Sequence, residues 1–182
     1  ATEAQVIFEK YWGLNKGYVP LVFDQHYFNE HVESGVPVWD IGAGANMAFR
    51  KELFYNVGFF DERLDVGAAG CSGDSELWYR VLANGFHCRY YPHLFVFHQH
   101  RETKKQLQKQ LFNYMRGHIA ALLVQHEKFK HKGNMLRMKR SIPRYYLNRV
   151  KDAFLKRRRA GFVFTEIRGC ISGWKFYQAN KK

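Results

Sequence analysis

The chain has 182 residues, 46% of them hydrophobic and 17% aromatic, enough apolar content to bury a core and too much for a disordered tail. Its formal net charge of +13 is unevenly placed. Residues 1–100 hold seven Lys and Arg against twelve Asp and Glu, whereas residues 101–182 hold 22 against four, so the excess positive charge points to an anionic surface or partner in the second part.

The opening ATEAQVIFEKYW has no basic stretch leading into an apolar run, so no signal peptide is expected. Residues 1–40 are aromatic-rich and punctuated by the turn signals Gly13, Gly17, Pro20, Gly35 and Pro37, an irregular pattern that assigns no definite element. The stretch IGAGANMAFRKELFYNVGFFDERL follows. It reads as a loop, a short strand over Asn46–Phe49, a short helix over Lys51–Val57 and a turn.

After GCSGDS a helix is expected over Ser75–Ala83. Leu77/Val81 and Trp78/Leu82, each pair four apart, share an apolar face, and Asn84-Gly85 supplies the stop. HLFVFHQH alternates as a strand does, with Leu94, Val96, His98 and His100 on one face and Phe95, Phe97 and Gln99 on the other. A long helix is predicted over Thr103–Phe129, its apolar face carried by Leu107, Leu111, Met115, Ile119 and Leu122. Residues 130–140 read as a basic connector, followed by helices over Pro143–Arg158 and Phe162–Ala179. IAALLV at 119–124 and the other apolar runs are far shorter than the roughly 20 residues a bilayer-spanning helix needs.

Cys71, Cys88 and Cys170 are odd in number and lack paired spacing, so no disulfide framework is expected and a reducing compartment is the default. A zinc site built from Cys71, Cys88, His98 and His100 has no spacing to support it.

Several side chains can carry chemistry. Asp74, just ahead of a helix, has the position of an N-cap, whose oxygen accepts a backbone N–H. The same place, near the positive end of the helix dipole, keeps a carboxylate ionised where it can accept a proton from a hydroxyl. Glu76 and Arg80, four apart, can pair along the helix, which gives Glu76 a supporting role. His98 and His100, two apart on a strand, can bind a divalent metal or be ordinary half-buried histidines. Trp78 and Tyr79 can stack on a sugar ring if exposed, although residues on an amphipathic helix more often face a core.

The basic segments KHKGNMLRMKR at 130–140 and LKRRR at 155–159 fit a solvated face, an anionic membrane or nucleic acid. On helix 143–158, Tyr146, Leu147, Val150 and Phe154 form a stripe beside Arg149, Lys151, Lys156 and Arg157, the pattern of an interfacial helix and equally of core packing. There is no aromatic RNA-binding signature and no C2H2 finger, which disfavours nucleic acid.

Taken in order, GANMAFRKELFYNVGFFDERLD, GDSELWYRVLANGF, YYPHLFVFHQHR, the long helix and the closing EIRGCISGWKFY resemble the C-terminal, acceptor-side half of a family 2 glycosyltransferase of the GT-A fold. The likeness runs from about Trp39 to the C-terminus, and the order of the blocks is what makes it specific. It implies an α/β fragment, α+β in appearance, in which a few short strands precede a long helix and C-terminal helices. The expected division is an acceptor-side half over 1–129 and a basic helical extension over 130–182.

By the same resemblance Gly44, Ala45, Asn46 and Arg50 lie beside the donor sugar, Asp74 is the general base, and His98 helps hold a divalent cation, Mn or Mg. Glu76, Trp78, His100 and Arg101 are expected around the substrates, with His100 and Arg101 as diphosphate or acceptor contacts. The family's common acidic motif has Glu before the Asp, where this chain has Gly73. The family's nucleotide-binding half with its Asp-x-Asp motif is not found in these residues, so the chain on its own is expected to be inactive.

The implied activity is inverting transfer of a sugar from a nucleotide-sugar donor to a hydroxyl of a carbohydrate or lipid-linked acceptor, in polysaccharide or glycoconjugate synthesis. It would take place in the cytoplasm, with residues 130–159 docking the protein on an anionic inner leaflet. Exposure of the apolar face around the Gly/Ala loop would drive homodimerisation. The alternative is a non-catalytic basic module for nucleic acid or anionic membrane.

Overall fold

The computed structural model describes residues 1–155 and 161–181. It is helix-rich, with a small two-stranded sheet. In chain order the elements are α1 (Glu3–Trp12), β1 (Leu21–Phe23), α2 (Gln25–His31), a 3-10 turn (Val38–Asp40), α3 (Leu53–Val57) and α4 (Gly73–Ala83). Then come β2 (Cys88–Tyr90), α5 (Lys104–Phe129), α6 (Lys132–Leu136), a π-turn (Arg137–Ser141), α7 (Ile142–Leu155) and α8 (Val163–Asn180). Strands β1 and β2 are antiparallel, with Val22 opposite Arg89.

Helix α5 is the spine, and its start is set locally. Thr103 Oγ1 accepts from Gln106 N at 3.2 Å while Gln106 Oε1 accepts from Thr103 N at 3.1 Å, so two otherwise orphaned donors are satisfied reciprocally. Ala4 and Phe8 of α1 bury against Leu107 and Leu111 of α5. Helix α8 lies along α5 at close range: a Cβ on Gly169 would meet Phe112 O at 2.5 Å, and one on Gly173 would collide with Arg116 O. Further along, Ile119, Leu122 and Leu123 pack with Ile142 and Tyr146 of α7 and Val163 of α8.

The core that positions α4 is separate from these. Trp78, Tyr79 and Leu82 are buried with Phe23, Phe28, Val36, Val38 and Ile41, while Leu77 and Val81 face Val57 of α3. Tyr79 is tied to α6 by a bond from Asn134 Nδ2 to its hydroxyl at 3.0 Å.

Residues 1–40, whose pattern assigns no definite element, hold α1, β1 and α2, the two helices capped by Thr2 and Asp24. Three expectations are corrected. Asn46–Phe49 is not a strand. HLFVFHQH forms no strand either, because among the described residues no segment pairs with it; Leu94, Phe95, Val96 and Phe97 stand exposed. The segment expected as a basic connector over 130–140 is helical from Lys132 on.

The long helix matches its predicted span. Helix α7 runs to Leu155, and the expected end at Arg158, with residues 156–159 of the basic run, lies outside the described residues. All three cysteines are free and half-buried. Burial pushes their thiols up, to about 11 for Cys71 and about 12 for Cys88 and Cys170. Among the described residues no helix is long and apolar enough to cross a membrane.

Candidate active site

Helix α4 starts two residues before its predicted first residue, which moves Asp74 from cap to first turn. The N-cap is Ser72, held in the left-handed region at φ 79 and making no side-chain cap bond. Its place as acceptor is taken by Asp65, whose Oδ1 accepts from Gly73 N at 2.8 Å. Asp65 is itself left-handed, at φ 61, a conformation that Asp tolerates better than most residues. A Cβ on Gly73 would run into the Asp65 carboxylate, so a larger residue there requires that side chain to shift.

Asp74 is half-buried at the start of α4, where its charge is favoured by the helix dipole. Its Oδ2 accepts from Gly44 N at 2.9 Å and its Oδ1 from Ser75 N at 2.6 Å. The Gly44 loop is thereby fastened to the first turn of α4. Two residues on, Asn46 Nδ2 donates to Leu94 O at 2.7 Å, which ties the same loop to the segment carrying the histidines. Ala45, Asn46 and Arg50 are exposed beside this junction.

A second layer supports the carboxylate. Burial pushes the Asp65 carboxyl up; the bond from Gly73 opposes this and the neighbouring charge of Asp74 adds to it. Cys71 feels both carboxylates. Its backbone is pressed against α5 where Gly117 leaves room for it. The half-buried Tyr114 phenol is raised first by burial, with Asp74 adding to the rise and Arg101 opposing it. Asp65 and Tyr114 are the residues that the sequence reading passed over. The signal for Asp65 was its place in Leu-Asp-Val-Gly, where an Asx side chain can bond a nearby backbone N–H.

Two expected substrate contacts are corrected. Trp78 is only 5% exposed, inside the α4 core, so it presents no face to a sugar. Glu76 is 0% exposed: Arg80 Nε lies 2.9 Å from both its oxygens, and Lys128 Nζ is 3.0 Å from Oε1. The predicted Glu76–Arg80 pair thus exists as a buried ion pair. Arg80 also donates to the carbonyls of Val57, Gly58 and Phe59, closing the end of α3.

His98 and His100 do share a side, with Nδ1 atoms 3.3 Å apart. His98 is exposed. His100 is engaged elsewhere: its Nε2 is 2.9 Å from Glu9 Oε2, and its ring lies 4.5 Å from that of Phe8. Arg101 is exposed next to it. Among the described residues no group of three or more His, Cys, Asp or Glu is placed to hold a metal ion. Comparison with protein-family models, curated proteins and solved structures finds no match.

Proposed function

We propose that the chain is the acceptor-side part of an inverting glycosyltransferase in which Asp74 is the general base. The observation that carries this reading is the convergence of three sequence-distant blocks, through Gly44 N to Asp74 Oδ2 at 2.9 Å and Asn46 Nδ2 to Leu94 O at 2.7 Å. A carboxylate in the first turn of a helix, against the Gly44 loop and beside the exposed Asn46, is suited to take a proton from a hydroxyl.

In the proposed step Asp74 removes the acceptor O–H proton as that oxygen bonds to the anomeric carbon of the donor. The bond from that carbon to the diphosphate breaks on the opposite face, so the configuration inverts, and the leaving group departs with the electron pair. Arg50 and Arg101, both exposed, belong to these blocks and would meet the diphosphate charge. The donor's nucleotide would be held by a further unit carrying the Asp-x-Asp motif and the divalent cation.

The test is transfer from labelled nucleotide sugars by the native polypeptide and its Asp74→Asn variant. Loss of turnover with donor binding kept is expected, and retained turnover removes Asp74 from the base role. No transfer by the native polypeptide, together with a salt-dependent shift of an oligonucleotide, would favour a basic binding module instead.

A further inference from the structure

The face of the molecule formed by α7 and α8 carries a second site. A groove of about 530 Å³ runs between them, floored by Ile119, Ile142, Tyr146 and Ile167 and walled almost wholly by apolar atoms. That volume lies within the roughly 300–1,000 Å³ typical of small-molecule pockets. The groove is open along one side, where Leu147, Ile171 and Trp174 are 54%, 52% and 48% exposed. Phe154 continues the same apolar stripe of α7 and is exposed.

The charge around the mouth follows from helical spacing. Arg144 and Lys151 lie three before and four after Leu147 on α7, and Arg168 and Lys175 stand in the same relation to Ile171 on α8. Residues so spaced share one helix face, and all four are exposed. Each apolar lip is therefore bracketed by cations one turn to either side. After residue 130 the only acidic residues are Asp152 and Glu166, and Glu166 is buried against Arg149 at 2.8 Å. Trp174 at the lip and exposed Tyr145 near it are the residue types that settle at a membrane–water boundary.

We propose that this groove receives an acyl chain of an anionic phospholipid and docks the α7–α8 face on a negatively charged bilayer. The apolar floor suits a hydrocarbon chain and the cationic brackets suit the phosphates above it. A second copy of the chain fits poorly, since groove-to-groove contact would bring the two basic rims together. Nucleic acid would engage the rim and leave the apolar floor empty. The proposal does not depend on the role of Asp74.

The test uses the full 182-residue chain with phosphatidylcholine vesicles, with and without phosphatidylglycerol, and with bromine-labelled acyl chains. Binding at least about tenfold tighter to the anionic vesicles is expected, with tryptophan quenching by the bromolipid that disappears in Trp174→Phe. Arg144→Glu with Lys151→Glu should weaken binding about tenfold or more. Leu147→Ser with Ile171→Ser, at exposed positions that leave the fold intact by circular dichroism, should remove the quenching. Equal affinity for neutral vesicles would overturn the proposal, as would quenching unchanged in Trp174→Phe. So would a dimer in solution that the Leu147 and Ile171 substitutions dissociate.

Discussion

The backbone N–H of Gly44 donates to Asp74 Oδ2 at 2.9 Å, and a Cβ on Gly44 would stand 2.7 Å from that same oxygen and 3.0 Å from the Asp74 Cβ. The loop and the carboxylate thus fit together only while residue 44 has no side chain. Gly44→Ala is expected to displace Asp74, cutting turnover of the native polypeptide by about a hundredfold while costing about 1–3 kcal/mol of stability. Steady-state kinetics with urea unfolding checks both, and a variant with unchanged kcat would show that the Asp74 position is not critical.

Asp65 makes a separable contribution. Asp65→Ala deprives Gly73 N of its acceptor and is expected to cost about 1–2 kcal/mol, as loss of a helix cap does. Asp65→Asn keeps an oxygen for that bond and should restore the loss. The Asp65 carboxyl is raised in the folded state by burial, so its contribution is fullest below the unfolded value and is lost as pH rises through the folded one. The wild type should therefore lose stability relative to Asp65→Asn on going from acid to neutral pH, as thermal melts would record.

The buried pair of Glu76 and Arg80 is structural. Glu76→Gln leaves Arg80 and Lys128 facing a neutral group, and breaking a buried pair in this way costs about 3–5 kcal/mol. Urea unfolding should show that loss, with α3 the first element to exchange its amide protons because Arg80 closes its end. A loss under about 1 kcal/mol would mean that water reaches the pair.

Asp61 sets an opposite acid limit. Burial pushes its carboxyl up, but hydrogen bonds from Arg63 and the hydrogen bond and charge of Lys128 outweigh that and hold it well below the usual range. A depressed carboxylate contributes stability above the unfolded value of about 3.9 and loses it as pH falls through the folded one. Urea midpoints should accordingly fall below about pH 4, and Asp61→Asn should flatten that slope. An identical slope in the variant would assign the acid limb to other groups.

What could be read from the residues divides by distance along the chain. Helix α5 was legible because Thr103 and Gln106 close its start within one turn and Leu107 to Leu122 mark its face. The start of α4 was not, because its cap comes from Asp65, eight residues upstream, through a left-handed backbone at Ser72. The alternation of HLFVFHQH is a strand pattern, but a strand exists only with a neighbour, and none among the described residues pairs there. Asp74 and the Gly44 loop, singled out by the order of the blocks in the sequence, do lie together. The burial of Trp78 was foreshadowed by its apolar pairing with Leu82, but that of Glu76 was not, since its second cation, Lys128, comes from a distant helix. The box of Thr2 and Gln5 was present in the sequence and would have located α1.

The three half-buried thiols make the protein a clean substrate for chemical labelling. With thiols pushed up to about 11 and about 12, the reactive thiolate at neutral pH is scarcer at each of them, by roughly three orders of magnitude, than at an exposed cysteine of pKa about 8.5. A single cysteine placed at exposed Phe97 should therefore take up a maleimide probe alone. The native thiols would stay silent until the fold opens, so their slow reaction doubles as a clock for unfolding.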